Sequence, residues 1–336
     1  MTPPTLPRRS LLLGLGALAA SCRARRTDRS TLRLGFFPNV THAPAFTALH
    51  SGRLAAALGG VRVVAVKFNA GPEAVSALLA GELDATFVGP VPAAAGFVRS
   101  RGAALRVVAG AASGGASFVV RRAAAVRAPA DLRGKRLAAP QIGGTQDVAL
   151  RHYLAGHGLR TSDAGGDVLL TSIANPNILS LFRQGGLDGA WVPEPWASRL
   201  VLEGGGERLV DERDLWPGRA FCTTLLAVRS AYLRDAPDAV DRLVDAHARE
   251  VAWIRAHVAE APRLFAAAFE AKTGRKLAPP LLAAAWPRID FTADALPATV
   301  TASVRRAYAL GFFPSEELDG LFDEGRLARA RQLAAG

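Results

Sequence analysis

The chain has 336 residues, 50% hydrophobic and 21% charged, which excludes a disordered protein and leaves room for a large core and two lobes. Its net charge is +12, but no run of interleaved Lys, Arg and aromatic residues appears in the body of the chain, so nucleic acid is not an expected partner. Two Cys and six unclustered His make neither a disulfide scaffold nor a metal site.

Arg8 and Arg9 precede the apolar run 11–20, and the small residues Ala19, Ala20 and Ser21 lead to Cys22. That is the layout of a secretory signal over 1–21, too short to span a bilayer. Cys22 resembles the lipid-receiving Cys of a bacterial lipobox, although Ala19 stands where that motif has Leu. The Arg pair also resembles a twin-arginine signal. Residues 22–30 are polar, as a tether would be. Lipid on Cys22 would hold the protein outside the cytoplasmic membrane and leave Cys222 as the sole free thiol. No later segment is long and apolar enough to cross a bilayer.

Residues 32–37 read as a buried strand closed by Pro38. Asn39, Thr41 and His42 form a polar turn, Pro44 falls in the first turn of a helix running to Leu49, and Gly52 stops that helix. The open N–H groups and positive dipole end at this turn welcome an anion. A second strand over 61–68 leads through Asn69 and Gly71-Pro72-Glu73 into a helix over 73–80. Strand 83–88 breaks at Gly89-Pro90, and helix 93–98 and strand 105–109 follow. The alternation predicts an α/β fold, mostly parallel, with covering helices.

The pattern then recurs. GELDATFV at 81–88 is echoed by GGLDGAWV at 185–192. Each copy follows a short helix that opens after an Asn, Asn69 or Asn175. Each ends in a Pro-containing loop, Gly89-Pro90 or Pro193-Glu194-Pro195. We read two similar lobes, 31–117 with 225–336 and 118–224, each presenting a loop beyond a strand's carboxyl end, where open α/β sheets bind ligands. Within the second lobe, strands are expected at 118–121, before Ala139 and at 168–170. Helices are expected at 145–155, 175–182 and 197–203, with a loop at 204–206. A returning strand covers 225–228. Val240, Leu243, Val244, Val251, Ile254 and Val258 recur at helical spacing and should pack outside the first lobe. Further short helices are expected at 279–287, 296–310 and 315–328.

GFFPNVTHAP, FNAGPEAVSALLAGELDATFVGP, DLRGKRLAAPQIGGTQDVALRHYL and GGLDGAWVPEPW resemble, in order and spacing, successive motifs of the solute-binding proteins of bacterial ABC importers for nitrate, sulfonates and taurine. The resemblance covers about 32–244. It implies the type II periplasmic-binding fold, two doubly wound lobes joined by two crossover strands and closing by hinge motion. It also implies a small-molecule ligand, permease and ATPase partners, and a monomer anchored at the membrane or cell surface by lipid. No cofactor and no enzymatic activity are expected, since HExxH, G-x-S-x-G, P-loop and CxxC patterns are missing. The rival readings are an enzyme like the thiamin-pyrimidine synthases on the same fold, whose Cys-rich iron motif two Cys cannot supply, a receptor for thiamin precursors, and an anchored sensor.

Candidate ligand contacts follow from both lines of reasoning. Asn39 and Thr41 are donors or turn-formers, and His42 is either a donor or a capping residue. Asn69 and Asn175 open the paired helices. Gly89 and Pro90 bring backbone close to the cleft or simply end a strand. Ser113 begins a Ser-Gly-Gly stretch that offers N–H groups or only leads to the crossover. Gly144, Thr145 and Gln146 are the strongest element: glycines free the loop, Thr145 caps a helix, and its first N–H groups face the cleft. The resemblance places the matching loop on the ligand's anionic head. Trp191 and Pro193 form an apolar wall or core. Glu194, if it faces the cleft, favours a ligand carrying an amine or hydroxyl.

Overall fold

The computed structural model describes residues 28–335; the expected export signal, Cys22 and most of the expected tether lie outside the described residues. The chain begins with β1 (Thr31–Phe36), α1 (Ala43–His50), α2 (Arg53–Ala57), β2 (Arg62–Lys67), α3 (Gly71–Leu79), β3 (Ala85–Val88), α4 (Pro90–Arg99) and β4 (Leu105–Gly114). It crosses into β5 (Ala116–Arg121), β6 (Arg136–Ala139), α5 (Thr145–Gly156), β7 (Leu169–Ser172), α6 (Asn175–Arg183), β8 (Gly189–Pro193), α7 (Trp196–Gly204) and β9 (Gly206–Asp211). It returns through β10 (Cys222–Arg229), α8 (Ser230–Asp235), α9 (Pro237–Ala256), α10 (Glu260–Thr273), α11 (Pro279–Ala285), β11 (Ile289–Phe291), α12 (Pro297–Ala309) and α13 (Glu324–Ala335).

Two sheets result, ordered β11-β4-β10-β3-β1-β2 and β7-β6-β8-β5-β9. Side chains alternate across each strand, so each sheet carries a core on both faces. Phe87 and Leu226 enter one core of the first sheet with α9 and α10, and Val88 and Leu225 enter the other with α3 and α4. In the second sheet Phe118 and Trp191 face one core with α5, and Val119 and Val192 face the other with α6 and α7.

Several details correct the sequence reading. The sheets are mixed rather than mostly parallel: β10 runs antiparallel between β3 and β4, and β5 antiparallel between β8 and β9. Both are the strands reached directly after a crossover, which enter from the opposite direction. Residues 206–211 form edge strand β9 instead of starting from a loop, and residues 315–323 precede α13 without a helix. Val258 lies beyond the end of α9 and is 75% exposed, so the apolar stripe stops at Ile254.

The echoed octapeptides have a shared physical role. Buried Asp84 accepts from the backbone N–H of Arg33 on β1 at 2.9 Å, from Arg33 Nε at 2.8 Å and from Arg229 Nη2 on β10 at 3.0 Å. Arg33 also donates to the Gly81 carbonyl at 2.7 Å. Asp188 repeats the arrangement: it accepts from Arg136 N–H on β6 at 2.9 Å, from Arg136 Nε at 3.2 Å and from Arg121 Nη2 on β5 at 3.3 Å. Arg136 donates to the Gly185 carbonyl at 2.9 Å. Each Asp therefore locks three neighbouring strands and the turn that precedes its own. Gly81 and Gly185 take φ of +74° and +77° in those turns, a conformation glycine adopts without strain.

Removing the more buried acid strands two guanidinium groups, so Asp84→Ala should cost about 3 kcal/mol of unfolding free energy. Asp188→Ala should cost less, because its bonds are longer and Arg136 is 46% exposed. Urea unfolding of the two variants checks this; equal losses, or a negligible loss at Asp84, contradict it.

Candidate functional site: a cleft between the lobes

The two sheets point the N-terminal ends of five helices at one cleft. Its lining includes Thr41 and His42 before α1, Gly71 and Pro72 of α3, Gly89 and Pro92 at α4, Gly144, Thr145 and Gln146 at α5, and Asn175 at α6. The cleft is narrow, and no Lys, Arg, Asp or Glu lines it. Any charge it attracts must therefore be met by N–H groups and neutral side chains.

The five helix ends are not equal donors. Pro stands in the first two positions of α1, α3, α4 and α6, removing an N–H from each. Only α5 keeps all its first-turn N–H groups, at Thr145, Gln146 and Asp147. The loop before it is held by Gly144 N–H donating to the Gln141 carbonyl at 3.0 Å and by Asp147 Oδ2 accepting from Gly143 N–H at 2.9 Å. Arg151 Nε donates to the other Asp147 oxygen at 3.1 Å, so the acid is turned away from the cleft and paired.

Three polar atoms of the lining are buried without a partner: Thr145 Oγ1, Asn175 Oδ1 and Gln141 Oε1. Seven other buried side-chain polar atoms among the described residues also lack a partner, but these three border one space, where a ligand's polar group can meet them. Thr145 corrects the sequence reading here. Gly144 is the capping residue and Thr145 is the first helical one, so its hydroxyl caps nothing.

His42 is buried, and burial pulls its pKa down to about 3, so the imidazole is neutral. Its Nδ1 accepts from Phe37 N–H at 3.3 Å, which puts the ring proton on Nε2 as a donor. Asn39 Oδ1 accepts from Trp196 Nε1 at 3.1 Å, which frees the Asn39 amide N–H groups. Thr223 and Thr224 of β10 complete the floor, and the Thr223 hydroxyl donates to the Gly114 carbonyl.

The lobes touch across the cleft. Val40 N–H donates to the Glu194 carbonyl at 3.0 Å, and Val91 and Ala94 of α4 pack on Val148 of α5. Gly89 meets Thr145 so closely that a Cβ on residue 89 would lie 2.3 Å from Thr145 Oγ1. No side chain fits there while the lobes are together.

Of the residues singled out in the sequence, Asn39, Thr41, His42, Asn69, Gly89, Gly144, Thr145, Gln146, Asn175 and Pro193 line the cleft. Four do not. Pro90 opens α4, but Gly89 and Pro92 make the wall. Ser113 is buried at the crossover, where its Oγ accepts from Phe221 N–H at 3.2 Å. Trp191 stacks on Phe118 in the second lobe's core and donates to Glu212 at 2.7 Å. Glu194 is fully buried, accepting from Arg208 at 2.7 Å and Ser198 N–H at 3.0 Å, so it neither repels an anion nor asks for an amine. Phe37, Gly71, Pro92, Gln141 and Thr224 line the cleft unforeseen. Gln141, three residues before Gly144 in the same loop, was the one with a local signal.

Comparison with known proteins bears on both the family and the fold. A family model described as the NMT1-like family matches residues 25–268. The nitrate/nitrite binding protein NrtA of Nostoc sp. is 27% identical over 133 residues, 39% of this chain and 28% of that protein. The taurine-binding periplasmic protein of Escherichia coli is 27% identical over 178 residues, 52% of each chain. The matches thus span about half or less of those relatives' own length. Among solved structures, the alkanesulfonate-binding protein SsuA from Xanthomonas axonopodis pv. citri, bound to MOPS, superposes with a TM-score of 0.71 at 21% identity, covering 90% of this chain and 98% of its own. The periplasmic nitrate-binding protein NrtA from Synechocystis PCC 6803 gives 0.71 at 16% identity, covering 90% and 88%. At these identities the structures establish the shared fold, that of the type II periplasmic-binding proteins.

Two outcomes follow from the cleft's packing. Gly89→Ala should hold the lobes apart, lowering the ligand-free melting temperature as the contacts across the cleft are lost and abolishing any ligand-induced rise. A full ligand-induced rise in that variant contradicts the contact. Burial also depresses His247, to about 4. Below pH 6.5 the unfolded chain takes up protons that folded His42 and His247 refuse, so their contribution to stability should be full above about 6.5 and fall toward pH 4. Burial pushes Glu212 up to about 7, which acts in the opposite sense over the same range, one group against two. Melting temperatures between pH 5 and 6.5 should therefore still fall with falling pH; a flat or rising profile contradicts this.

Proposed function

The chain belongs to the NMT1-like family, and from that premise we propose that it is the extracytoplasmic solute receptor of an ABC importer, capturing a small oxyanion-bearing solute in the inter-lobe cleft. The ligand is a sulfonate, nitrate or a related polar organic solute. The observation that carries the reading is the convergence of five helix N-termini on a cleft lined by no charged side chain. Partial positive charge from the helix ends attracts an anion, and the α5 N–H groups with the Thr145 hydroxyl grip its oxygens. The neutral His42 Nε2–H and the Asn39 amide add donors from the first lobe.

In this reading residues 31–117 with 225–336, and residues 118–224, are the two units that close on the solute. Closure brings Gly89 onto Thr145, so one hydroxyl reports both ligand and lobe position. Lipid on Cys22 tethers the receptor to the membrane, and the closed form hands its solute to a permease driven by a cytoplasmic ATPase. The relatives bound to nitrate, taurine and sulfonate chemistry by name support the solute class, and no step calls for a catalytic residue.

Thr145→Val keeps the side-chain shape and removes the hydroxyl. Losing one hydrogen bond to a charged ligand should weaken binding about tenfold or more. Titration calorimetry with methanesulfonate, taurine and nitrate measures it, and unfolding checks that the variant folds. Binding of none of the three to the parent protein, or unchanged affinity in the variant, contradicts the assignment.

A further inference from the structure

A second, wider space adjoins the cleft. Asn39, Asn69 and Asn175 line both, so they form a collar between an inner site and a wider outer chamber that is open to solvent. Both lobes wall the chamber. Trp196 comes from the second lobe, and Phe269, Leu277 and Leu281 come from the segment that follows the return crossover. These four give the chamber an apolar wall beside the collar, made of the edges of largely buried side chains.

The chamber also carries an excess of positive charge that the inner site lacks. Lys67, Arg199, Arg275 and Lys276 line it against a single acid, Glu203. Arg199 is spent on Glu203 through two bonds of 2.9 Å, and Lys276 sits 3.7 Å from Glu270. Among the described residues, the Lys67 and Arg275 side chains have no ion pair and no hydrogen bond. They stand on the first lobe's side of the chamber, separated from the inner donors by the collar.

We infer that the solute is a two-ended organic anion: a compact oxyanion head on the α5 N-terminus, an apolar body threading the Asn collar along Trp196, Leu277 and Leu281, and a second negative group facing Lys67 and Arg275. The inference rests on the reading of the inner cleft as the solute site, and goes beyond it by excluding inorganic ions as the preferred cargo. Neutral donors suit the head because the water-poor inner site would penalise a buried lysine. Exposed lysine and arginine suit the tail because they remain hydrated until it arrives. An apolar body that touches both lobes would also stabilise their closed arrangement, linking tail length to transport competence.

Calorimetry on the full chain at low ionic strength tests this with three probes: methanesulfonate, naphthalene-1-sulfonate and naphthalene-1,5-disulfonate. The aryl monosulfonate should bind at least about tenfold more tightly than methanesulfonate, through the added apolar contact. The disulfonate should gain a further factor of about three or more, through the second charge. In a Lys67→Ala/Arg275→Ala variant that second gain should vanish while methanesulfonate affinity stays unchanged. Equal affinity for all three probes overturns the two-ended assignment and leaves the inner site intact. A disulfonate gain that survives the double substitution overturns the role of Lys67 and Arg275. Failure of every probe, methanesulfonate included, overturns the inner site and with it the inference.

Discussion

Unsatisfied hydrogen bonding in a cleft without charge is the constraint on which the rest of the structure turns. A buried hydroxyl or amide that finds no partner destabilises the fold by about 1–3 kcal/mol. Thr145, Asn175 and Gln141 each bear such an atom, and all three face one space. The α5 N–H groups add donors that no helix can satisfy internally. The surrounding architecture holds these groups in place without quenching them. Asp147 is folded back onto Gly143 and paired with Arg151, and Glu194 is paired with Arg208 and Ser198. The nearest acids are thereby kept from supplying an internal partner, and the donors are left for a solute.

Under the proposed role, neutral recognition of an anion has a physical advantage, because the cargo must be released. A buried lysine would bind more strongly but would itself be costly to desolvate in the open form. Helix ends and amide groups are fixed by the backbone and need no reorganisation. Prolines at the other four helix mouths narrow the donor set further, so that α5 alone offers a complete first turn. The paired carboxylates Asp84 and Asp188 stand outside the cleft lining and each ties its strands into one rigid unit. Rigid lobes and a cleft with unmet donors together favour closure as a hinge motion rather than local rearrangement.

Much of this was legible in the chain itself. The glycine-rich approach to Thr145 marked the α5 mouth, and the echoed octapeptides marked two lobes of like plan. What the echo could not reveal was its purpose, because Asp84 and Asp188 find their partners on other strands: Arg33 and Arg229, Arg136 and Arg121. Trp191 was opaque for a related reason. It lies on β8, a strand buried on both faces, where alternation no longer separates cleft from core. Glu194 was misread because its partner Arg208 lies on β9, an edge strand whose first residue, Gly206, looked like the end of a loop. Pro92 and Gly71, which meet at the cleft wall, carry no local signal of that contact, since a Cβ on residue 71 would lie 2.5 Å from Pro92 Cγ only in the folded chain.

The central claim is that the α5 N-terminus grips the solute's oxyanion, and backbone amide resonances report on it directly. In a proton–nitrogen correlation spectrum titrated with methanesulfonate, the Thr145 and Gln146 amide protons should move strongly downfield and become protected from exchange. Ligand-dependent shifts that leave both amides unmoved while others respond would contradict the account.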